Sequence, residues 1–344
     1  MKMGKADHAP VLVTGAAGFI GSHVCGALIA RGQRVAGIDN FDPLLYGDRN
    51  EALKRGNLDE VSRAPGAFEF ERADICDAAA MRALFAKWKP LGVIHLAAKA
   101  GVRPSITDPG AYLRTNVVGT SNVLECAREG GCARVVAASS SSVYGNAPTV
   151  PFHEEMDVGR PISPYAASKR AAELVCAAHH HLHKTPVACL RFFTVFGPRQ
   201  RPDLAIAKFL EMVWRGEAIP FFGDGSSSRD YTFIDDIVAG VLAAYDRIDK
   251  HGFRIWNLGG HRPHSLSELV ATVERVVGRK ATLDRRPMQA GDVERTFADL
   301  TRSGAELGFA PTTGLEEGIR RQWAWMREAR PSPIANAAAA KGAL

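Results

Sequence analysis

Tyr165 and Lys169 stand four residues apart in Tyr165-Ala166-Ala167-Ser168-Lys169, so on a helix a phenol and an ammonium share one face. A tyrosine titrates near pH 10 (about 10 in peptides) and serves as a base at neutral pH only where a nearby cation stabilises its phenolate. The chemistry on offer is removal of a proton from a hydroxyl. The run Ser139-Ser140-Ser141-Ser142-Val143-Tyr144-Gly145 follows a β-branched stretch, and a serine at a strand end can hydrogen-bond that same hydroxyl. Y-x-x-x-K alone is common on helix surfaces. It acquires meaning from what surrounds it.

The run Val11-Leu12-Val13-Thr14-Gly15-Ala16-Ala17-Gly18-Phe19-Ile20-Gly21 reads as a buried strand, a glycine turn and a helix start. Gly15, Gly18 and Gly21 let backbone N–H groups approach a pyrophosphate, and a helix N-terminus favours its negative charge. The same turn could be purely structural, but Asp39 closes the next strand, and its carboxylate would accept from a ribose diol. Neither Asp39 nor Asn40 carries the cation that a 2′-phosphate requires, so the expected cofactor is NAD rather than NADP. Asp74-Ile75 and Leu96-Ala97-Ala98 fall at later strand ends, where such a sheet binds ligands. Phe19, Ile20, Asn40 and Lys169 complete the expected cofactor set; Asp77 reads as a helix cap.

These residues need a scaffold that delivers them to one edge. From residue 10 to about 190, β-branched runs alternate with amphipathic stretches, predicting strands at Val11–Thr14, Arg34–Ile38, Phe68–Arg72, Gly92–His95, Arg134–Ala138 and Val187–Arg191. Long helices are expected from Pro109 to about Gly130 and from Ser163 to about His183, with shorter ones near 204–215, 266–277 and 315–328. The fold class is α/β, a doubly wound parallel (Rossmann) sheet with a second, smaller α/β substrate domain. Residues 1–195 plus 231–258 are assigned to the first, 196–230 plus 259–330 to the second, and 331–344 to a frayed tail.

Composition narrows the class. The 344 residues are 46% hydrophobic and 23% charged, which suits a globular chain rather than a disordered or fibrous one. The formal charge of +6 is spread without a basic stripe, so nucleic acid is not the expected partner. No apolar run approaches the ~20 residues of a membrane span, and MKMGKADHAP lacks a secretory pattern, so a cytoplasmic protein is expected. Six cysteines without C-x-x-C pairs read as reduced thiols. His179-His180-His181 with His183 looks like a metal tract, but spacing joins only His179 and His183, no carboxylate stands nearby in the sequence, and the chemistry needs no metal. A solvated helix face is the expectation. Asp235-Asp236 reads as a helix cap rather than a catalytic pair, and Arg285-Arg286 as either a phosphate contact or a solvated pair.

T-G-x-x-G-x-x-G, S-S-x-x-V-Y-G and S-P-Y-x-x-S-K together resemble the extended short-chain dehydrogenases/reductases, and within them the nucleotide-sugar 4-epimerase group, over residues 10–328. The resemblance implies a UDP-sugar substrate, Ser140 as the catalytic hydroxyl, Tyr165 as base and Lys169 as its partner. Ala100-Gly101-Val102-Arg103-Pro104-Ser105 and Arg191-Phe192-Phe193-Thr194-Val195-Phe196-Gly197-Pro198-Arg199-Gln200-Arg201-Pro202-Asp203 are most similar to UDP-glucuronate 4-epimerases. Thr194 stands where the UDP-glucose enzymes usually carry Asn; Phe196 replaces the usual tyrosine, a packing change. Related dehydratases and decarboxylases carry an acidic residue just after the catalytic hydroxyl, where this chain has Ser141 and Ser142, so C4 oxidation followed by hydride return is the reaction left.

A 4-keto glucuronate is a β-keto acid and can lose carbon dioxide, so its carboxylate must be held; Arg201 offers a bidentate fork and Thr194 a hydroxyl. Arg103 either faces the sugar or orders its loop by an ion pair. By the same resemblance Phe209 and Arg229 match uracil-side and phosphate contacts, Gln289 and Asp292 fall in an M-Q-x-G-D segment, and the chain is expected to be a homodimer built on a four-helix bundle. The alternatives are a UDP-glucose or UDP-N-acetylhexosamine 4-epimerase and, from another class, a non-catalytic dinucleotide-binding regulator.

Overall fold

The computed structural model describes residues 9–44, 47–63, 68–287 and 293–328. The chain opens β1 (Val11–Thr14), α1 (Phe19–Ala30), β2 (Val35–Asp39), α2 (Asn50–Ser62), β3 (Phe68–Arg72), α3 (Ala78–Trp88) and β4 (Gly92–His95). It continues through α4 (Val102–Thr107), α5 (Pro109–Leu113), a π-type turn over 114–119, α6 (Thr120–Glu129), β5 (Val135–Ser140), α7 (Pro164–His183) and β6 (Val187–Phe192). Among the described residues, seven parallel strands form one sheet in the order β10-β6-β5-β4-β1-β2-β3, its last strand, β10, being Phe253–Leu258. The strand order reverses direction between β1 and β4, the point where a doubly wound sheet opens a crevice at its carboxyl edge.

Each central strand is apolar on both faces because both are covered. Val11 and Val13 of β1 point into the core shared with α1, whereas Leu12 joins Met81, Phe85 and Val123 of α3 and α6 on the other side. β6 repeats this with Ala188 and Leu190 against Val187 and Cys189. A period of two in a doubly buried strand explains the continuous apolar runs of the sequence.

The second lobe is built from β7 (Thr194–Phe196), α8 (Ala205–Arg215), β8 (Ile219–Phe222), β9 (Ser228–Phe233), β11 (Pro263–Ser265), α10 (Leu266–Val277), β12 (Leu283–Arg286) and α12 (Leu315–Glu328), while α9 (Ile234–Arg247) packs on α1 and against β5 and β6 of the large sheet and α11 (Thr301–Leu307) packs on β10. The lobe's strands form a β11-β9-β7 sheet and a β12-β8 pair. Residues 231–233 therefore pair with β7 in the small sheet and do not rejoin the large one, which regains the chain only at β10. The 331–344 tail lies outside the described residues, and no helix among them is long and apolar enough to cross a membrane.

Several local expectations are met or corrected. The Asp77 carboxylate caps α3, accepting from Ala79 and Ala80 N–H. Asp235 and Asp236 sit in the first turn of α9 rather than at its cap; one pairs with Arg321, the other accepts from Thr312 and Thr313 N–H. All six cysteines are free thiols. The long helix from Pro109 is interrupted by the π-type turn, which turns Asn116 inward: its side chain donates to Lys99 O and Ser168 Oγ and accepts from Lys99 N–H.

Candidate active site

A cavity of about 490 Å³ runs along the carboxyl edge of the sheet, from the glycine turn after β1 to the start of α7. At Gly15 (φ 72°) a Cβ would lie 2.8 Å from Ala97 N, and at Gly21 it would lie 2.0 Å from Gly15 O, so only bare backbone fits between β1, α1 and the end of β4. Gly18 is the N-cap of α1 and no side chain caps that helix. Its first N–H groups are thus left for an anion, the cradle a pyrophosphate requires.

At the far end of the cradle Asp39 is buried at the end of β2, where its Oδ1 accepts from Phe41 N–H at 2.8 Å and from Lys54 Nζ at 3.0 Å. Lys54 comes from α2 and lines the cavity too. Neither Asp39 nor Asn40 carries a cation, but an ammonium does stand beside Asp39: that of Lys54, 15 residues along the chain. Asn40 also lines the cavity, with its amide donating to Asp74 Oδ2 at 3.0 Å; Asp74 itself does not line it, and instead turns its other oxygen to Cys76 N–H. Phe19, Ile20, Ile75, Leu96, Ala97 and Ala98 do face the cavity.

Ser140, the last residue of β5, brings its hydroxyl to the cavity together with Ser141 and Ser142; it accepts from Ser142 N–H and donates to Ser142 Oγ, each at 3.1 Å. Tyr165 and Lys169 enter from the first turns of α7, which Ser163 caps through Ala166 N–H. Burial pushes the Tyr165 phenol above its usual value, while a hydrogen bond with Ser140 and the charge of Arg201 pull the other way. Burial pulls Lys169 down to about 8, and its ammonium is anchored on Ala138 O at 2.8 Å. Behind this set, Glu173 takes Arg191 Nε and Nη2 at 2.8 and 2.9 Å and Ser139 Oγ at 2.6 Å, and Arg191 reaches Tyr144 OH at 3.0 Å. This fully buried pair fixes β6 against α7, the Ser139 hydroxyl adds the end of β5, and sequence reasoning missed it because neither partner lies near the other in the chain.

On the second-lobe side, Thr194 and Arg201 line the same cavity. The Arg201 fork is engaged: Nε and Nη2 each donate to Asp203 at 2.9 Å. A substrate carboxylate would share or replace that partner. Arg103, in the first turn of α4, is exposed and outside the cavity lining, its guanidinium 5.6 Å from the Phe222 ring, so it ties α4 to β8. Phe209 is buried in the apolar core beneath α8, and Arg229 donates to Ser228 and Glu294 carbonyls; neither lines the cavity. Gln289 and Asp292 lie outside the described residues. Arg285 stacks over Phe221 and Arg286 pairs with Asp284.

A neutral histidine underlies the cofactor side. Thr120 Oγ1 donates to Asn116 O and so accepts from His95 Nε2–H (3.0 Å), which leaves His95 Nδ1 to accept from the Thr14 hydroxyl (2.7 Å), whose oxygen also takes Ala97 N–H. Burial holds His95 down to about 3 and, with the Arg199 charge adding to burial, His23 down to about 4, from 6.5 unfolded. Between these limits the unfolded chain binds more protons, so stability is complete above pH 6.5 and is lost as pH falls below it. Thermal unfolding is expected to show a loss of about 2 kcal/mol per histidine at pH 5 relative to pH 7.5. An unfolding temperature unchanged over that range would contradict neutral burial.

The family described as GDP-mannose 4,6-dehydratase matches residues 12–322, nearly the whole of both lobes. The chain belongs to this family of extended short-chain dehydrogenases/reductases. Among members of the family, a UDP-glucuronate 4-epimerase of Thermodesulfobacterium geofontis is 39% identical over 319 residues, covering 92% of this chain and 96% of that one. Among solved structures, UDP-glucuronic acid 4-epimerase from Bacillus cereus in complex with UDP-glucuronic acid and NAD superposes with a TM-score of 0.86 at 32% identity, covering 93% of this chain and all (100%) of the other. UDP-glucose 4-epimerase from Thermotoga maritima with UDP-glucose gives 0.84 at 31% identity, covering 93% and 99%. In this short-chain dehydrogenase/reductase the hydroxyl of Ser140, the phenol of Tyr165 and the ammonium of Lys169 line one cavity with Thr194 and Arg201.

Proposed function

We propose that the chain inverts C4 of UDP-glucuronate, interconverting it with UDP-galacturonate through a transient 4-keto sugar, with NAD as its resident cofactor. The observation that carries this reading is that Ser140, Tyr165 and Lys169 share one cavity with Thr194 and Arg201, a proton-transfer set facing a cation and a hydroxyl suited to a carboxylate. The likeness to UDP-glucuronate 4-epimerases over almost the full length supports it.

NAD, when bound, supplies reversible hydride acceptance at the sugar's C4. The glycine turn and the α1 N-terminus would hold its pyrophosphate, and Asp39 its adenosine ribose. Tyr165 takes the proton of the 4-hydroxyl, helped by Ser140 on the same oxygen, and returns it after the keto ring has turned its other face. Lys169, with a pKa of about 8, stays mostly protonated at pH 7 and favours the phenolate. Ser141 and Ser142 offer no carboxylate to shuttle a ring proton, which separates this chain from the dehydration that the family description names. Thr194 and Arg201 restrain the β-keto carboxylate. The bidentate hold of Asp203 on Arg201 favours a second reading, a UDP-glucose 4-epimerase, because a neutral hydroxymethyl would leave that pair intact. Purified protein given UDP-glucuronate and UDP-glucose separately is expected to convert the first far faster; the reverse order would overturn the main reading.

Asp39→Ala removes the ribose acceptor and unmasks Lys54. Titration of the variant is expected to weaken NAD binding and strengthen NADP binding relative to the parent; an unchanged ratio would remove Asp39 from the ribose.

A homodimer is part of the proposal. Leu113 and Val118, flanking and within the π-type turn, and Leu174 and Leu182 of α7 are about half exposed or more (48, 51, 55 and 70%) on neighbouring helices, an apolar face that a second copy would cover as a four-helix bundle. Light scattering at micromolar concentration is expected to give twice the chain mass; a monomer would reject it.

A further inference from the structure

The histidine tract of α7 acquires from the fold what the sequence did not offer it. Glu125 of α6 places Oε1 3.6 Å from His179 Nδ1 and 3.9 Å from His183 Nε2. One donor atom from each of the three lies within 4.8 Å of the others. The expectation that the tract lacks a carboxylate partner is therefore corrected.

His179 has 5% of its surface exposed, its Nε2 has no hydrogen-bond partner, and the 3.6 Å to Glu125 is longer than a hydrogen bond. The nitrogen that faces Glu125 is Nδ1, and a metal held there would give it the partner that the 3.6 Å approach does not. The carboxylate is oriented as well: Arg128 donates through Nε and Nη2 to Glu125 Oε2, both at 3.0 Å, which leaves Oε1 turned to the histidines. Outer hydrogen bonds of this kind fix a ligand before a metal arrives.

We propose that Glu125, His179 and His183 form a divalent transition-metal site, with Zn²⁺ the ion that suits two imidazoles and one carboxylate, clamping the C-terminal half of α7 to α6. Donor atoms around a tetrahedral Zn²⁺ sit roughly 3.3 Å apart, so the cluster would contract around the ion, and His183 is its exposed member. Solvent fills the remaining position. None of the three residues lines the cavity at the sheet edge, so the metal is structural, and the site stands independently of the epimerase reading.

The test uses the full chain stripped with chelator, then titrated with ZnCl₂ by calorimetry and with CoCl₂ by visible absorption. The expected result is one equivalent per chain, a Co²⁺ spectrum without thiolate charge transfer, and an unfolding temperature that rises with Zn²⁺ and returns with EDTA. Glu125→Gln and His183→Gln, both at solvent-accessible positions, are each expected to weaken Zn²⁺ binding roughly tenfold or more while metal-free unfolding and UDP-glucuronate conversion stay at parent values. Absence of saturable binding, binding unchanged in both variants, or thiolate bands in the Co²⁺ spectrum would overturn the proposal. So would loss of turnover on adding EDTA, which would place the metal in the reaction.

Discussion

Tyr165→Phe is expected to lower kcat by roughly 10²- to 10⁴-fold with little change in NAD or UDP-glucuronate binding, the range in which a positioned acid–base group contributes. The substitution removes one oxygen from a ring that stays in place. Tyr112 meets it edge-on at 6.2 Å between centroids, and the backbone N–H of Tyr165 is held by Ser105 Oγ at 3.1 Å. The variant should therefore fold and bind as the parent does, and the loss belongs to proton transfer alone. Single-turnover reduction of enzyme-bound NAD by UDP-glucuronate isolates that step. A rate equal to the parent's would move the base to another residue, and a large rise in KM with unchanged kcat would recast Tyr165 as a binding group.

Arg201→Met is expected to reduce kcat/KM for UDP-glucuronate roughly ten- to a hundredfold more than for UDP-glucose, because a charge-assisted contact to a carboxylate is worth about 1.5–3 kcal/mol and a hydroxymethyl cannot use it. The pairing with Asp203 sharpens the expectation. The wild-type guanidinium gives up or shares a partner when it takes the substrate, so the measured preference should fall in the lower part of that range, and Asp203→Asn should raise it. A second readout is chemical: a loosely held carboxylate can rotate until its C–C bond aligns with the 4-keto π system, and the variant should release decarboxylated 4-keto-pentose detectable by mass spectrometry. Equal losses on both sugars without that product would place Arg201 on the diphosphate and bring the UDP-glucose reading forward.

Local patterns made the large sheet readable. Strands at Val11–Thr14 and Gly92–His95 sit where apolar runs put them, since a doubly covered strand needs unbroken apolar sequence, whereas Phe68–Arg72 at the sheet edge alternates phenylalanine with charge. The gathering of Ser140, Tyr165 and Lys169 in one cavity was legible because they lie at a strand end and in the opening two turns of a helix, whose direction the sheet dictates. What stayed hidden was pairing across elements. Lys54 reaches Asp39 from α2, Glu125 reaches His179 from α6, and Arg191 finds Glu173 inside the core, none of which leaves a periodic trace. The π-type turn at 114–119 escaped because it adds width without interrupting the apolar pattern of its helix. The burial of Phe209 was hidden for a different reason: which face of α8 turns inward depends on how the second lobe packs.

The site draws its two halves from separate sheets. Ser140 ends a strand of the large sheet, whereas Thr194 opens a strand held by β9 in the small one, with Arg201 in the turn that follows. For an engineer this is a division of labour with a natural seam. Libraries confined to 194–204 can explore sugars with amide, methyl or unmodified C6 groups while the Glu173–Arg191 pair keeps the oxidising end untouched, so selection for a new sugar need not be a search for a new catalyst.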